Sequence, residues 1–327
     1  MSRPVTYAEQ SEWREIQAFL PAKYHLADKD LPVEEFWDWN GHKVHLDRYR
    51  HPDSPVRVIL FHGVGTNGRQ MSTILGHPLS EAGIETVAVD MPNYGLTQVA
   101  SGRLVLYDDW VQCGTDFIAA ELARDPRPIF LYGLSAGGML TYHVAARSRK
   151  VAGIVGMTFL DQRAPGVFRE TAYTPLMGPF LYPTIAMGKL PLIRGISLPM
   201  RALSKMRALV NDRQAMQVCY RDRTSAGNVV SLGFMSSYLG FQPDIRPEDF
   251  DICPILLTQP AEDHWTPHHL SEKFLSRITK VPVSTVMLEN AGHYPLEEPG
   301  LTQMYEAILD FIGGGAGASE SPPAATT

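Results

Sequence analysis

The chain has 327 residues, of which 44% are hydrophobic and 20% are charged, values that are ordinary for a globular protein with one large domain. Its net charge of −6 argues against a general nucleic-acid-binding protein. The three separated cysteines form neither a disulfide framework nor a metal-ligand spacing, and no segment has a signal peptide's or a membrane span's apolar length. We therefore expect a cytoplasmic protein without a membrane span.

The hydrophobic pattern predicts alternating helices and strands through the first half of the chain. Residues 1–30 have apolar side chains at helical spacing, and residues 34–50 alternate as in a hairpin of strands. Short apolar runs predict buried strands at 56–61, 85–90, 128–132 and 151–159. Helical patterns fall at about 69–82, 108–123 and 136–147. This alternation predicts a mostly parallel, twisted sheet with helices on both faces.

The alternation stops at residue 161 and returns at residue 251. The intervening segment is rich in proline, methionine and leucine and shows no regular order of strands and helices, so we interpret it as an inserted helical cap. Strands at 254–258 and 283–288 and a helix at 300–312 complete the core. The expected division is a first core part at 1–160, a cap at 161–250, a second core part at 251–312 and a disordered tail at 313–327.

The predicted cap is basic, although the whole chain is acidic. Residues 162–250 carry eleven Lys or Arg and six Asp or Glu, and the excess is concentrated between residues 189 and 223. Apolar residues recur there at helical spacing beside basic ones, at Met200, Leu203, Met206 and Val210. The pattern suits either a solvated helix face or a lid in transient contact with an anionic or lipid surface.

A nucleophile motif follows the strand at 128–132. Ser135 is the centre of the sequence Gly133-Leu134-Ser135-Ala136-Gly137, and a predicted helix begins directly after it. A strand, the pattern G-x-S-x-G and a helix together predict a strained turn that presents the serine hydroxyl above the sheet. Serine at this position excludes reactions that need a carboxylate nucleophile there. Phosphate-loop and dinucleotide-binding motifs are absent from the sequence.

A second glycine-containing loop follows the strand at 56–61. Its sequence His62-Gly63-Val64-Gly65 allows backbone N–H groups to turn toward one point and to stabilise a developing oxyanion. We predict the backbone N–H groups of Val64 and Ala136 as the two donors. His62 is expected to order this loop rather than to act as a base.

The base and the acid are predicted at the ends of the last two strands. His293 follows Gly292 after the strand at 283–288, and Asp263 follows the strand at 254–258. The chain order Ser, Asp, His matches a serine-nucleophile triad, in which the imidazole takes the hydroxyl proton and the carboxylate orients it. Glu262, beside Asp263, and Asp161, after the strand at 151–159, remain as alternative acids.

The remaining site predictions concern the substrate and bound groups. The apolar residues of the predicted cap suggest an apolar pocket, and we expect substrate contacts from His62, Gly63, Leu134, Met177, Phe180 and Trp265. Three further histidines follow Asp263, at 264, 268 and 269, but they lack the spacing of a metal site. We therefore predict neither a metal nor a cofactor.

These motifs together resemble the α/β-hydrolase superfamily. Within it, the chain is similar to the capped group that contains monoglyceride lipases, lysophospholipases and serine aminopeptidases. The resemblance covers about residues 35–160 and 251–312 and includes the turn from Asp90 to Gly95, in which the second glycine of the family's pattern is missing. It implies a capped α/β-hydrolase fold and a serine hydrolase.

Three functions remain open from the sequence. The first is hydrolysis of a small, apolar or lipid-like carboxylic ester through an acyl-enzyme on Ser135. The second keeps the same triad for an amidase or peptidase, a C–C hydrolase or an acyltransferase, because an acyl-enzyme can react with water, an amine or an alcohol. The third is a ligand-binding protein with an inactive triad.

Overall fold

A computed structural model describes residues 6–164, 166–173 and 178–317, with the backbone alone at 178–181 and 315–317. Ten strands are present in this part of the chain, namely β1 (Val33–Trp39), β2 (His42–Tyr49), β3 (Arg57–Phe61), β4 (Glu85–Val89), β5 (Ile129–Gly133), β6 (Gly153–Gly156), β7 (Ser197–Pro199), β8 (Val229–Ser231), β9 (Ile255–Pro260) and β10 (Val283–Leu288). Eight of them form one sheet in the order β1-β2-β4-β3-β5-β6-β9-β10. Strands β1, β2 and β4 pair antiparallel, and the other neighbours pair parallel. The predicted mostly parallel sheet is confirmed.

Helices connect the parallel strands and fill the segment between β6 and β9. In chain order they are α1 (Glu12–Gln17), α2 (Gly68–Met71), α3 (His77–Glu81), α4 (Tyr107–Arg124), α5 (Ala136–Ser148), α6 (Val167–Thr171), α7 (Gly178–Ala186), α8 (Met200–Leu203), α9 (Arg213–Arg221), α10 (Leu232–Leu239), α11 (His268–Leu275) and α12 (Gly300–Gly317). A π-helical turn at Ser72–Gly76 joins α2 to α3, so the helix predicted at 69–82 is present with an irregular centre. Within the described part of the chain, no helix is both long and apolar enough to cross a bilayer.

The N-terminal segment differs from its prediction. A helix was expected over residues 1–30, but α1 spans Glu12–Gln17, and short 3-10 turns flank it. The next 3-10 turn begins after Pro21, whose ring prevents the hydrogen bond that a continuing helix needs. Most of the apolar residues at helical spacing are nevertheless buried, with Trp13 and Ile16 each 3% exposed. Burial of these side chains produced the periodic pattern without a long helix.

Two further element boundaries differ from the predictions. The strand predicted at 151–159 is β6, which ends at Gly156, because the chain then turns across the end of β5 through a hydrogen bond from Met157 N to Gly133 O. Helix α12 continues to Gly317 instead of ending at about residue 312. Extending an existing helix adds one hydrogen bond per residue, which offsets part of the cost of its glycines. The rest of the predicted tail, from residue 318, lies outside the described residues.

The segment between β6 and β9 contains a small sheet as well as helices. Strands β7 and β8 pair antiparallel, three residues each, beside α8 and α10. A helix with basic neighbours was predicted for the apolar residues Met200, Leu203, Met206 and Val210. The structure buries all four of them, because α8 ends at Leu203 and the following turn folds the chain against the core. Their spacing therefore marks a packed face and not a surface for lipid.

A buried ion cluster lies where the parallel strands begin. Arg57 opens β3, Glu85 opens β4 beside it in register, and Glu121 comes from the last turn of α4. The Arg57 guanidinium is fully buried, and its Nε lies 2.9 Å from Glu85 and 3.0 Å from Glu121. Both carboxyl groups are desolvated, but the arginines around them lower their pKa values. This cluster anchors the strands at the edge opposite the ends that carry the site.

Candidate active site

Ser135 lies in the sharp turn between β5 and α5. Its backbone has φ 57° and ψ −123°, a strained conformation for a residue with a side chain. The flanking glycines are required by close packing, since a Cβ at Gly133 would lie 2.0 Å from Gly137 O, and one at Gly138 would lie 2.1 Å from Thr158 O. The local sequence therefore produces the predicted nucleophile elbow.

The loop after β3 lies directly against this elbow. A Cβ on Gly63 would come within 2.8 Å of Ser135 Cβ and 3.4 Å of Ala136 N. Glycine at this position therefore lets the backbone of residues 63–65 approach the serine. This is the arrangement that an oxyanion-stabilising loop needs, with Val64 as the expected donor from the loop and Ala136 as the donor from α5.

His62 holds this loop in place. Its ring is fully buried; Nδ1 lies 2.8 Å from Gly63 O, and Nε2 accepts a hydrogen bond of 2.9 Å from Met91 N. Nε2 is therefore unprotonated, and Nδ1 carries the hydrogen that it donates to Gly63. Burial lowers the pKa of His62, which keeps the ring neutral. With both ring nitrogens bonded to backbone, His62 orders the loop and has no free nitrogen for the substrate.

His293 and Asp263 form a buried pair. His293 Nδ1 lies 2.8 Å from Asp263 Oδ2, and both side chains are 1% exposed. The same carboxylate accepts hydrogen bonds from the backbone N–H groups of Trp265 and Thr266, each 2.8 Å long. Burial opposes ionisation of Asp263, but His293 and the donors of Thr266 outweigh it and lower the carboxyl pKa. Asp263 is thus an ionised acceptor that orients the imidazole.

The structure adds Thr266 to the residues that the sequence indicated. Its hydroxyl donates to Asp263 Oδ2 at 2.6 Å and lies 3.2 Å from His293 Nδ1. Nothing in the sequence singled out this threonine, because its role depends on the turn that follows Asp263. A hydroxyl three residues after a carboxylate, in the turn just before a helix, is the signal that would have found it.

Nε2 of His293 is the ring nitrogen that Asp263 does not bind. It is buried and makes no hydrogen bond with any residue that the structure describes. The bond to Ser135 Oγ is therefore not formed here, and in serine hydrolases such bonds often tighten only in the substrate complex. Trp265 and Thr266 line the same cavity as Ser135, and the Trp265 ring centroid lies 4.8 Å from that of His293. The pair therefore borders the space that Ser135 faces.

The two alternative acids lie elsewhere. Glu262 is exposed, and the hydrogen bonds that hold its position involve its backbone, which bonds to Ala291 O and to Asn211. Asp161 pairs with Arg163 at 3.0 Å and with Arg277 at 3.8 Å. Neither carboxylate is hydrogen-bonded to His293, whose Nδ1 is taken by Asp263.

A small, mainly apolar cavity adjoins Ser135. Its volume is about 40 Å³, enough for about three water molecules. Core residues form one wall, and residues of the predicted cap between β6 and β9 form the other. The lining includes Val64, Leu160, Phe168, Met200, Leu203 and Trp265. A bound acyl chain therefore requires part of the cavity wall to move.

One short segment of the cap touches the loops on both sides of the site. Met206 packs on Gly65, where a Cβ would come within 2.8 Å of its sulfur. Leu209 O accepts a 2.7 Å hydrogen bond from Tyr294 N, the residue after His293. Asn211 donates to Glu262 O at 3.3 Å. Displacement of residues 206–211 would thus reach the oxyanion loop and the histidine loop together.

The turn from Asp90 to Gly95 supports the oxyanion loop from below. Asp90 is fully buried and accepts hydrogen bonds from Gly68 N at 2.6 Å, at the start of α2, and from Tyr7 OH at 2.9 Å. His45 Nδ1 lies 2.9 Å from the same carboxylate. Burial alone would lower the pKa of His45, but the hydrogen bonds to Asp90 and Glu34 raise it to about 10. The turn was predicted from the sequence, but this network was not.

The structure does not place three of the predicted substrate contacts in the cavity wall. Leu134 is fully buried in the elbow, so its side chain belongs to the core. Met177 lies outside the described residues, as does the side chain of Phe180.

Of the histidines after Asp263, His269 pairs with Glu170 at 3.0 Å. In the described part of the chain, no three His, Cys, Asp or Glu side chains gather as a metal site would require.

Comparison with known proteins finds one similar sequence and similar folds among lipases. The chain is 23% identical over 265 residues to a thermostable monoacylglycerol lipase from Bacillus sp. strain H-257, covering 81% of this chain and 93% of that protein. The fold is similar to that of a soluble monoglyceride lipase variant from Saccharomyces cerevisiae, with a TM-score of 0.67, 16% identity and coverage of 91% and 99%. A monoacylglycerol lipase from Paleococcus ferrophilus gives a TM-score of 0.62, 16% identity and coverage of 83% and 99%.

The sequence pattern of one family spans most of the chain. It matches residues 58–302, which include the elbow, the loop after β3, the acid and the histidine. The strand order and the helices on the sheet agree with that match. The chain belongs to the α/β hydrolase family.

Proposed function

We propose that this protein is a serine hydrolase of the lipase and esterase type, which cleaves carboxylic esters with apolar acyl groups through an acyl-enzyme on Ser135. The observation that carries the proposal is the His293–Asp263 pair, whose neighbours Trp265 and Thr266 line the same cavity as the strained Ser135. The imidazole is oriented by an ionised, buried carboxylate, and its other nitrogen is free to take a proton.

The proposed reaction begins with attack of Ser135 Oγ on the ester carbonyl carbon. The hydroxyl proton passes to His293 Nε2, and Asp263 stabilises the imidazolium that forms. The N–H groups of Val64 and Ala136 bind the oxyanion of the tetrahedral intermediate. His293 then protonates the leaving alcohol. A water molecule, deprotonated by the same imidazole, attacks the acyl-enzyme and releases the acid and free Ser135.

The lining of the cavity supports the substrate class. Its walls are mainly leucine, methionine and aromatic side chains, which favour a hydrocarbon chain. Of the proteins compared above, the Bacillus relative and both solved structures are named as lipases of monoacylglycerol, an ester with one acyl chain. We therefore propose a single-chain acyl ester as the substrate.

We also propose that the cap makes transient contact with lipid, through residues 187–196. Four apolar side chains of this segment are between 48% and 96% exposed, namely Met187, Leu190, Leu192 and Ile196. The exposed cations Lys189 and Arg194 lie among them. Leu192 projects furthest, at 96% exposure. Apolar side chains among basic ones suit an anionic lipid surface.

Co-flotation with phosphatidylcholine vesicles, with and without phosphatidylserine, tests the lipid contact. Binding should need phosphatidylserine and should fall at least fivefold in the Leu192→Ser, Ile196→Ser double variant. The exposed residue Gln217 on α9 provides the control, since Gln217→Ser should bind as the unaltered protein does. Equal binding by the double variant would refute this surface.

The catalytic proposal is tested with a fluorophosphonate probe and a series of p-nitrophenyl esters from acetate to palmitate. We expect labelling at Ser135, an optimum of chain length, and loss of both labelling and turnover in Ser135→Ala. Labelling without ester turnover would point to an amide, a C–C bond or an acyl acceptor other than water. Absence of labelling in the folded protein would favour a ligand-binding protein.

A further inference from the structure

The cavity beside Ser135 contains one polar pair among its mainly apolar walls. Gln162 follows β6 on the core side and Tyr238 lies in α10 on the cap side. Their side chains meet at 3.4 Å, from Gln162 Nε2 to the Tyr238 hydroxyl. Each residue is 9% exposed, so this polar contact is almost fully removed from water.

Apart from Ser135, the other polar side chains of the cavity wall already have partners. The hydroxyl of Thr171 donates to Val167 O at 3.0 Å, and that of Ser204 donates to Met200 O at 3.1 Å. Thr266 is bonded to the carboxylate of the acid, and Ser135 is the proposed nucleophile. Apart from Ser135, these hydroxyl groups have their hydrogen bonds without a ligand.

Gln162 does not. Its Oε1 is buried and has no hydrogen-bond partner among the described residues. Burial raises the pKa of Tyr238 to about 12, so the phenol keeps its own hydrogen at neutral pH. The pair therefore retains an acceptor, Oε1, and a donor, the phenolic O–H. Buried groups of this kind are normally satisfied, so their free capacity is a signal for a ligand.

We propose that Gln162 and Tyr238 form a subsite that binds a hydroxyl group on the acyl chain of the substrate. A hydroxyl both donates and accepts, so it satisfies Oε1 and the phenolic O–H together. A hydroxyl also fits if the Gln162 amide is turned by 180°, because Nε2 then donates to the hydroxyl oxygen. The surrounding apolar wall accommodates the hydrocarbon part, which assigns the hydroxyl to the acyl group and not to the alcohol. This inference rests on the proposed ester hydrolysis and names its substrate class.

The arrangement also explains how such a substrate is selected. An unsubstituted acyl chain would displace water from the cavity and leave the buried Gln162 amide unpaired. The resulting free-energy penalty selects against substrates that lack the hydroxyl. The chain after β6 is fixed to the elbow, since Thr158 Oγ1 donates to Ser135 O at 3.2 Å. Tyr238 packs against Tyr107, with ring centroids 4.9 Å apart. The two polar groups are therefore held relative to the serine.

The test compares methyl hexanoate with methyl 3-hydroxyhexanoate and methyl 6-hydroxyhexanoate, by acid release in a pH-stat. A second comparison, of propyl hexanoate with 2-hydroxyethyl hexanoate, places the hydroxyl on the alcohol. We expect kcat/KM for at least one hydroxyacyl ester to exceed that for methyl hexanoate about tenfold. Gln162→Leu and Tyr238→Phe should each reduce this preference to about one. The alcohol pair should show no preference that depends on Gln162.

The preference is a ratio measured on one preparation, so partial misfolding of a variant cancels. Gln217→Leu, the same change at an exposed position of α9, should keep the ratio. Equal ratios in the unaltered protein and both subsite variants would overturn the inference while leaving ester hydrolysis intact. A Gln162-dependent preference in the alcohol pair would overturn the acyl assignment. If none of the esters reacts and the probe does not label Ser135, the proposed function itself is refuted.

Discussion

Replacement of Asp263 by asparagine tests the proposed triad most directly. The carboxylate accepts four hydrogen bonds, two at Oδ1 from backbone N–H groups and two at Oδ2, from His293 and Thr266. In Asp263→Asn the amide oxygen takes the position of Oδ1, because both of its neighbours there are fixed donors. The amide NH₂ then faces His293 Nδ1 and donates to it.

This exchange reverses the tautomer of the imidazole. Nδ1 becomes an acceptor, so the proton moves to Nε2, and the nitrogen that should take the serine proton is already occupied. We expect kcat for a p-nitrophenyl ester to fall about 10⁴-fold, or about 5 kcal/mol of transition-state stabilisation. The assay is burst and steady-state release of p-nitrophenol at neutral pH, with circular dichroism to establish folding.

Two neighbouring carboxylates serve as controls. Glu262→Gln changes an exposed side chain one residue away, and Asp161→Asn changes the alternative acid after β6. Both variants should retain activity within about threefold. Folded Asp263→Asn with more than a tenth of normal activity would refute the role of Asp263, as would a large loss in either control.

Three further predictions concern stability. Gly138→Ala should destabilise the fold by about 3 kcal/mol or more in urea unfolding, because its Cβ would lie 2.1 Å from Thr158 O, a backbone atom. Arg57→Met should cost about 3 kcal/mol, because it leaves two buried carboxylates without this partner. The pKa of His45 is raised from 6.5 to about 10 in the fold, so protonated His45 stabilises fully below pH 6.5, and this contribution disappears as the pH rises through about 10. His45→Gln should therefore lower the unfolding free energy at pH 6 and much less at pH 10.

Each stability prediction has a matched control or a contrary outcome. Gly195→Ala, with no atom within 4 Å of the new Cβ, should change stability by less than about 0.5 kcal/mol. Arg246→Met breaks an ion pair whose arginine side chain is 77% exposed, and should cost less than about 1 kcal/mol. If His45→Gln loses as much stability at pH 10 as at pH 6, the histidine is not charged in the folded protein.

The elbow and the parallel strands were predictable because their signals are local. The strand before Ser135, the glycines around it and the helix after it lie within twenty residues, and close backbone packing makes each glycine necessary. Strand β10 has the predicted bounds, because its short apolar run ends at a turn. Chain order then led from the elbow to Asp263 and His293, which the structure brings within 2.8 Å.

Predictions based on periodicity were less reliable in the N-terminal segment and the cap. A helical pattern at residues 13–20 and at 200–210 reflected burial of one face, while prolines and turns divided the backbone into short pieces. Strands β7 and β8 have three residues each, too few to show the alternation that identifies a strand. Propensity and period describe long elements, and these segments contain none.

The sequence alone determined the fold class, the elbow and the candidate triad, because each depends on neighbouring residues or on their order. Only the tertiary structure decided which side chains surround them. The hydrogen bond between Tyr7 and Asp90 spans 83 residues, and that between Gln162 and Tyr238 spans 76. No local pattern records such contacts, because they arise when the sheet and the cap bring distant segments together and bury their polar groups away from water.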